Sequence, residues 1–597
     1  MGKNVMKLMK PSPVLGRNDF DLSHREVNTI NFGEIMPFLK IHTVPGGKYD
    51  IRTADLIRAI PMVTSPFMRA KQHIDLWFVP YNVLWSRFNE FMVNRDEKLS
   101  SALQGKDFVP HVHMYELLEQ IAAETTAVDA VGQDFRTGAY RLLDALGYPS
   151  YKYFFGGSAA DTDKDKAVNL WALLAYNYIW YTEYRQQYYD DGDHLCGTGY
   201  HSYLYNADYL PCTSADTADV IRYTTSGFSS SVFSLCQMRY RCWKKDLFTG
   251  LLPSTQFGAL STVMTDGNQL VEISGYTGRD TSRWVSNGLA TSGGAVTGYS
   301  SAENFGNLLI DGNGAYHDHV LDPEKMSVGY DNDIYFDVLK LRKAEAVQIW
   351  RENALRAGQY VEDNFEAHYG TKPKSHMHMH PVHIGSIDAP LNIGDIDAHA
   401  QTGSGSNQQL ADVAGKGISS LGKGSFKFQT SDFGIILGLV SMLPETEYMS
   451  TGIERENQLL EREDYFIPEY ARLGLQAVDS STFFFGGQYD FIPGYAPRDF
   501  GYKQKMDKVH LDFYNATGNV GTFRSWVSPK YDVYDALDYM ATHTGPKALP
   551  LSCLYVNPEL FDVNFAAGVD VSRQFMVNYY FDVDAIQPMP VTGMPSY

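Results

Sequence analysis

The chain has few cysteines and no long hydrophobic run. Its five cysteines are odd in number and have no C-x-x-C spacing, which argues against a disulfide framework and a zinc site and favours reduced, mostly buried thiols; they are Cys196, Cys212, Cys236, Cys242 and Cys553. The longest apolar run is 433–443, whereas a helix crossing a bilayer needs about 20 residues. The N-terminal segment lacks the apolar stretch of a secretory signal, so we expect neither a membrane span nor export by that route.

Positive charge is also scarce, because 50 Lys and Arg stand against 70 Asp and Glu, for a net charge of -20. Binding naked nucleic acid requires cations that displace condensed counterions. If DNA is a partner, other polycations must therefore help. The chain also lacks the G-x-S-x-G, phosphate-loop and H-E-x-x-H motifs, although their absence alone does not exclude an enzyme.

The residues that are abundant favour β structure. There are 40 Tyr, 33 Phe, 51 Gly and 26 Pro, a composition typical of short strands joined by many turns. Alternating apolar residues predict half-buried strands at 49–60, 74–79 and 575–583, and the run 433–443 predicts a strand buried on both faces. Recurrence every three or four residues predicts helices around 84–91, over 168–184 and over 338–354, the last ending near Gly358.

Several stretches are set apart by their composition. Residues 93–165 and 186–236 are interpreted as inserted loops and helices. The stretch 259–330 is rich in Gly, Ser, Thr, Asn and Asp, which predicts an exposed insertion of loops with short strands. The polar, Gly-rich stretch 398–424 is predicted to be flexible. The acidic run at Asp190, Asp191 and Asp193 is interpreted as a solvated loop rather than a calcium site.

Two groups of residues could bind a ligand. A histidine-rich segment could place three or four imidazoles around a metal ion; its members are His376, His378, His380 and His383. We predict no metal site, because no matched carboxylate or thiolate lies nearby, and prefer an interface loop that leaves a pH-sensitive contact open. The N-terminal arm, 1–17, is basic, and its possible phosphate contacts are Lys3, Lys7, Lys10 and Arg17.

Ordered blocks along the chain resemble the major capsid proteins of microviruses, small single-stranded DNA phages, and especially the gokushovirus-like branch. The N-terminal blocks are FDLSHREVNTINFGEIMPF at 20–38, VPGG at 44–47 and HIDLWFVPYNVLW at 73–85. The later blocks are AYNYIW at 175–180, DLFTGLLP at 246–253, ILGLVS at 436–441, GYAPR at 494–498, FRS at 523–525 and AIQPMPV at 585–591. The spacers 93–165 and 186–236 depart from the compact members of the family.

The resemblance implies a mainly β fold, an eight-stranded antiparallel jelly roll of the viral capsid type with long loop insertions and a few helices. It implies a homo-oligomeric T=1 icosahedral shell around circular single-stranded DNA, with no catalytic residue and no cofactor. Implied partners are a small basic DNA-binding protein, a pilot protein and a host cell-surface receptor. The implied location is the virion, assembled in the bacterial host cytoplasm.

The resemblance also gives 259–330 a place in the shell, as a protrusion near the threefold axis. Copies of its apolar residues would shield one another there, namely Leu270, Val271, Ile273 and Trp284. An alternative function from another class is a β-rich carbohydrate-binding protein or carbohydrate-active enzyme, which the aromatic content and Asp-rich loops would suit. Closed uniform particles and monodisperse monomers would distinguish the two.

Overall fold

The structure is a computed structural model, and it divides into two compact units. One unit is formed by Met1–Thr255 with Ala357–Tyr597, and the other by Gln256–Arg356. The residues that the structure describes are 16–62, 67–85, 88–93, 109–123, 125–148, 167–190, 235–256, 272–274, 309–310, 316–317, 327–329, 338–357, 361–371, 380–397, 413–419, 424–448, 452–471, 473–483, 491–510, 513, 551–565 and 573–591.

The described elements are mainly strands. They are β1 (Asn18–Asp21), β2 (His24–Ile30), β3 (Met36–Thr43), β4 (Lys48–Ala59), β5 (Ala70–Pro80), β6 (His111–His113), β7 (Ala167–Asn169), β8 (Glu272–Ser274), β9 (Leu309–Ile310), β10 (Tyr316–His317), β11 (Ser327–Gly329), β12 (Val382–Asp397), β13 (Val413–Ser419), β14 (Gly424–Gln429), β15 (Gly434–Pro444), β16 (Leu475–Val478), β17 (Gly494–Pro497) and β18 (Phe575–Gln587).

Most of the described helices are short and fall between strands in the order of the chain. The α-helices are α1 (Tyr81–Leu84), α2 (Phe88–Val93), α3 (Met114–Ala123), α4 (Phe135–Ala145), α5 (Trp171–Ile179), α6 (Val338–Ala357), α7 (Val361–Tyr369), α8 (Phe500–Lys503) and α9 (Leu551–Leu554). A π-helical turn covers Trp180–Tyr184, and 3-10 turns cover Arg455–Gln458, Arg462–Asp464, Pro468–Tyr470, Ser480–Thr482 and Pro558–Asn564.

The first sheet is centred on β4 and β18. These strands pair antiparallel from Phe575 opposite Ala59 to Ile586 opposite Lys48. The other edge of β18 carries β1 and β2, while β13 and β14 pair with β4. Every second residue of β18 from Phe575 to Val583 is buried and the residues between them are half-buried or exposed, which confirms the strand predicted at 575–583.

The second sheet has the strand order β3, β15, β5, β12, with every neighbouring pair antiparallel. Nearly all of β15 is buried, as predicted for 433–443. All nine residues of α5 are buried as well. The ring of Trp171 stacks on that of Tyr81 at 4.4 Å, and Phe88 meets Phe433 at 6.0 Å. The short helices α1 and α2 therefore contact both α5 and the residue before β15.

The inner faces of the two sheets contact each other to form the core. The ring of Phe38 on β3 lies 4.9 Å from that of Tyr579 and 5.1 Å from that of Phe581 on β18. Near the other side, Phe78 on β5 lies 5.0 Å from Phe428 on β14. The unit thus contains a β-sandwich whose apolar residues pack between two antiparallel sheets.

One strand belongs to both sheets. Residues Val382–Leu391 of β12 pair with β5, and Asn392–Asp397 pair with β13. Part of the stretch 398–424, which is predicted to be flexible, is the strand β13. Residues 413–418 of β13 pair with β12, and residues 418–419 pair with β4. Residues 398–412 and 420–423 of that stretch lie outside the described residues.

The predicted helix over 168–184 begins later than expected. Val168 lies in β7, opposite Val112 of β6, so tertiary pairing overrides the local helical pattern there. The interpretation of Asp190 as part of a solvated loop is also wrong, because its side chain is buried and accepts a hydrogen bond from Tyr555. Asp191 and Asp193 lie outside the described residues.

The described residues of the second unit form four short strands and most of α6. β8 pairs with β11, and β9 pairs with β10, all antiparallel. The helix predicted over 338–354 is confirmed by α6, although its expected end at Gly358 lies outside the described residues. Within the described part of the chain, no helix is long and apolar enough to span a membrane.

Candidate interaction surfaces and their support

The outward side of the first sheet carries large apolar side chains next to arginines. We call this set of residues the sheet face, and it consists of Arg25, Val27, Leu56, Arg58, Met576 and Tyr580. Antiparallel pairing places them side by side, because Asn578 lies opposite both Val27 and Leu56. Val27 is 68% exposed and Tyr580 is 51% exposed. A sheet side of this kind normally carries polar residues, so its apolar content indicates a contact surface.

The other end of the same side is polar and internally paired. The Arg52 guanidinium lies 3.2 Å from Asp50, 3.1 Å from Asp582 and 3.2 Å from Asp584. Hydrogen bonds and charge from Asp50, followed by those from Asp582, raise the pKa of Arg52. The Lys427 ammonium lies 3.8 Å from Asp50. The three carboxylates here outnumber the two cations by one. The exposed positive charge on this side of the sheet therefore lies at the opposite end, with the arginines of the sheet face.

A second surface is an irregular segment after β15. We call residues 452–471 and 473 the arm. Local polar bonds fix its conformation: the Asp464 carboxylate accepts from the backbone N–H groups of Leu460 and Glu461, at 3.0 Å each, and from Arg455 at 3.0 Å. The two backbone bonds are the main reason that the pKa of Asp464 is lowered. The backbone N–H of Ile453 donates to the Ser481 carbonyl at 2.8 Å.

The arm exposes its apolar side chains rather than burying them. Leu460 is 85% exposed and Leu473 is 63% exposed, while Tyr465 and Phe466 are each about half exposed. Polar bonds hold the arm in place, and its apolar residues remain available for a contact. The sequence does not predict the exposed apolar residues of the arm, because an irregular segment has no periodicity that indicates which residues face outward.

Of the histidines named as weak metal candidates, the two that the structure describes have different partners. His380 lies 3.5 Å from Glu183, and His383 contacts Ser386 at 2.8 Å and the Trp77 ring at 4.6 Å. His376 and His378 lie outside the described residues. Among the residues that are described, no group of three or more His, Cys, Asp or Glu could hold a metal ion.

Most of the other predicted contact residues lie outside the described residues, namely Lys3, Lys7, Lys10, Leu270, Val271 and Trp284. Arg17 is exposed beside the turn at Gly46. Ile273 lies in β8, opposite Val328. Of the cysteines, Cys236, Cys242 and Cys553 are described, and none of these three forms a disulfide.

Buried tyrosines hydrogen-bonded to aspartates hold distant segments of the chain together. Each phenol O–H donates to a carboxylate that is far away in sequence, and burial, followed by the neighbouring carboxylate, raises the pKa of each tyrosine well above 10. The phenols therefore remain protonated donors at neutral pH. The pairs are Tyr184 with Asp75 at 2.6 Å, Tyr240 with Asp129 at 2.7 Å, Tyr448 with Asp246 at 2.6 Å, and Tyr555 with Asp190.

Comparison with known proteins identifies the family. The capsid protein (F protein) family of phages matches residues 10–132 and 165–597. The chain belongs to this family. Capsid protein VP1 of Chlamydia phage 1 is 22% identical over 659 aligned residues, which cover 100% of this chain and 99% of the relative. The resemblance to gokushovirus-like microvirus capsid proteins is thereby confirmed.

The match has one gap, and the gap contains structured residues. Residues 133–164 are unmatched, and they lie within the spacer 93–165 that departs from the compact members. α4 occupies part of this gap. Its Arg141 is bonded to the buried Glu34 and donates to the Thr29 carbonyl at 2.8 Å. The unmatched insertion is therefore bonded to the segment that joins β2 to β3.

Asp129 gives this capsid protein a stability that depends on pH. Burial raises the pKa of Asp129 to about 6, against the effect of hydrogen bonds from Tyr240, Gln133 and Val131. Between pH 4 and pH 6 the folded chain then holds a proton that the unfolded chain has lost, so stability falls as pH rises through this window. Relative to Asp129→Asn, we expect the wild type to lose about 2 kcal/mol between pH 4 and pH 7.

The measurement is urea unfolding of the soluble subunit and of Asp129→Asn at a series of pH values from pH 4 to above pH 7. The free energies of unfolding of the wild type and the variant should change differently with pH up to pH 7 and change in parallel above it. Parallel slopes throughout would mean that Asp129 titrates near its ordinary value.

Proposed function

We propose that the chain is a structural subunit that assembles with copies of itself into a T=1 icosahedral shell enclosing circular single-stranded DNA. The observation that carries this proposal is the match to a phage capsid protein family over nearly the whole chain. The work of such a subunit is done by interfaces that repeat around symmetry axes. Membership of the family implies a place in the virion, and we propose that assembly occurs in the bacterial host cytoplasm.

The strand pairing supports the further proposal of an eight-stranded jelly roll. One sheet contains β2, β18, β4 and β14 in that order, and the other contains β3, β15, β5 and β12. Successive strands of this set thus alternate between the sheets, except β5 and β12, which are neighbours in the second sheet. This order is the pattern of a jelly roll. The remaining strands β1 and β13 extend the first sheet.

The decisive experiment is negative-stain microscopy of the purified chain. Closed particles of one size are the expected result. A monodisperse monomer under all assembly conditions would contradict the proposal and return attention to the carbohydrate-binding alternative, which no observation on the structure favours.

Packaging of DNA would need other proteins. Because the net charge is -20, this chain cannot neutralise a genome by itself. We propose that a small basic DNA-binding protein supplies most of the neutralisation and that a pilot protein accompanies the genome. Within this chain, Lys3, Lys7, Lys10 and Arg17 remain the proposed phosphate contacts.

The segment 259–330 is proposed to form an outward protrusion near the threefold axis, with Leu270, Val271, Ile273 and Trp284 shielded between copies. Its Gly, Ser and Thr content suits exposed loops that vary without disturbing the sandwich, and host attachment is the proposed use. The alternative is a clamp that only stabilises the shell.

Replacing residues 262–325 with a short Gly-Ser linker separates the two roles. We expect intact shells that attach to host cells at least ten times more slowly than the wild type. Particle yield is counted by microscopy, and attachment is measured by loss of free particles over time. Normal attachment would rule out the recognition role, and failure to assemble would favour the clamp.

A further inference from the structure

The arm and the sheet face both carry exposed apolar side chains. Leu460 on the arm is 85% exposed, and Val27 on the sheet face is 68% exposed. Among the described residues, neither side chain is covered by other parts of the chain. Exposed apolar patches on a soluble protein mark contact sites when they lie on ordered structure.

The two surfaces carry opposite charge. On the arm, Glu461, Glu463 and Glu469 are exposed together with Arg462. Other charged residues of the arm are paired internally or with nearby lysines: Arg455 with Asp464, Glu456 with Lys505, and Glu454 with Lys508. The Glu461 side chain also caps the 3-10 turn that begins at Arg462. Among its described residues, the arm thus has exposed apolar side chains and more exposed carboxylates than exposed arginines.

The sheet face offers the matching arrangement. Arg25 and Arg58 are exposed beside its apolar residues, and the Arg25 guanidinium donates to the Asn578 side chain at 2.7 Å. Within the part of the chain that is described, neither arginine lies within 4 Å of a carboxylate. The nearest acidic group along the sheet, at Asp582 and Asp584, is already bound to Arg52. The two arginines are therefore available to a carboxylate from outside.

We propose that the arm of one copy docks on the sheet face of a neighbouring copy. Leu460, Tyr465, Phe466 and Leu473 would cover Val27, Leu56, Met576 and Tyr580. Glu463 and Glu469 would meet Arg25 and Arg58. This inference rests on the proposed assembly into a shell and names one of its interfaces.

The geometry of such a contact suits a closed assembly. The arm and the sheet face are different surfaces, so each copy gives its arm to one neighbour and receives an arm from another. Contacts of this head-to-tail type close into rings when the rotation between copies permits. The arm is also ordered before it docks, since hydrogen bonds to Asp464 and Ser481 already fix it, and less conformational freedom is lost on binding.

A charge exchange tests the pairing. Glu463→Arg and Arg58→Glu should each lower the yield of closed particles at least tenfold, because each places like charges across the contact. The double variant should return the yield to within threefold of the wild type. Both positions are exposed, so the melting temperature of the unassembled subunits should remain that of the wild type, which separates a docking effect from misfolding.

A second pair of variants tests the apolar part. Phe466→Asp should lower particle yield at least tenfold, whereas Tyr369→Asp, at a residue of α7 that is 74% exposed and belongs to neither surface, should not. If Phe466→Asp assembles normally, or if the charge exchange does not restore assembly, the docking is wrong while the shell function stands. If the wild-type chain itself forms no shells, both proposals fail.

Discussion

Phe581→Asp is expected to abolish accumulation of folded soluble subunit. The Phe581 side chain is fully buried, and its ring lies 5.1 Å from those of Phe38 and His24. A carboxylate placed there would lose its hydration without gaining a partner, at a cost of several kcal/mol. That cost is comparable with the roughly 5–15 kcal/mol that separates a folded domain from its unfolded state.

Tyr580→Asp is the matched control, since Tyr580 directly precedes Phe581 in β18 and lies on the opposite side of the sheet. It should give folded soluble subunit in normal amount, as measured by circular dichroism of the soluble fraction. Folding is the readout here rather than assembly, because Tyr580 belongs to the sheet face. Equal behaviour of the two variants would contradict the alternation of β18.

Gly33→Ala should destabilise the subunit by about 3 kcal/mol, through both strain and overlap. Gly33 has a φ of +78°, and an added Cβ would lie 2.5 Å from both the Cβ and the carbonyl oxygen of Val556. Its backbone also accepts from Arg241 at 2.8 Å and donates to Met442 at 2.9 Å. Movement away from Val556 would therefore break bonds to two other segments.

Gly132→Ala separates the two contributions. Gly132 has a φ of +88°, but nothing lies within 4 Å of an added Cβ. This variant should cost only about 1 kcal/mol, which is the strain of the left-handed conformation. Urea unfolding measures the loss in free energy of unfolding for each variant. The difference between the two losses is the cost of overlap with Val556. A difference near zero would mean that Val556 moves aside without cost.

The parts of the fold that follow from short-range pattern could be predicted from the sequence. The alternation of β18 and the continuous apolar run of β15 are each visible within about a dozen residues, and each determines how many faces are buried. The capsid family was also predictable, because short blocks such as HIDLWFVPYNVLW occur in a fixed order along the chain. The order of strands within each sheet came only from the structure.

The parts that depend on distant residues could not be predicted. Asp190 looks like a member of an exposed acidic loop until Tyr555, 365 positions away, is placed beside it. β13 looks like a flexible stretch until β12 and β4 supply backbone partners on both sides. The arm could not be predicted for another reason. Hydrogen bonds from polar groups determine which of its side chains are exposed, and the pattern of its apolar residues does not.

The pairing of β2 with β18 has a consequence for synthesis in the host. Arg25 and Asn578, which share a hydrogen bond, are 553 positions apart. At about 5–20 residues per second, roughly half a minute to two minutes of translation separate them. Throughout that time the inward residues of β2 and β4 lack β18, the strand that lies between them. A chain whose translation stops before β18 therefore lacks the strand that pairs with both β2 and β4, and it cannot complete the first sheet of the sandwich.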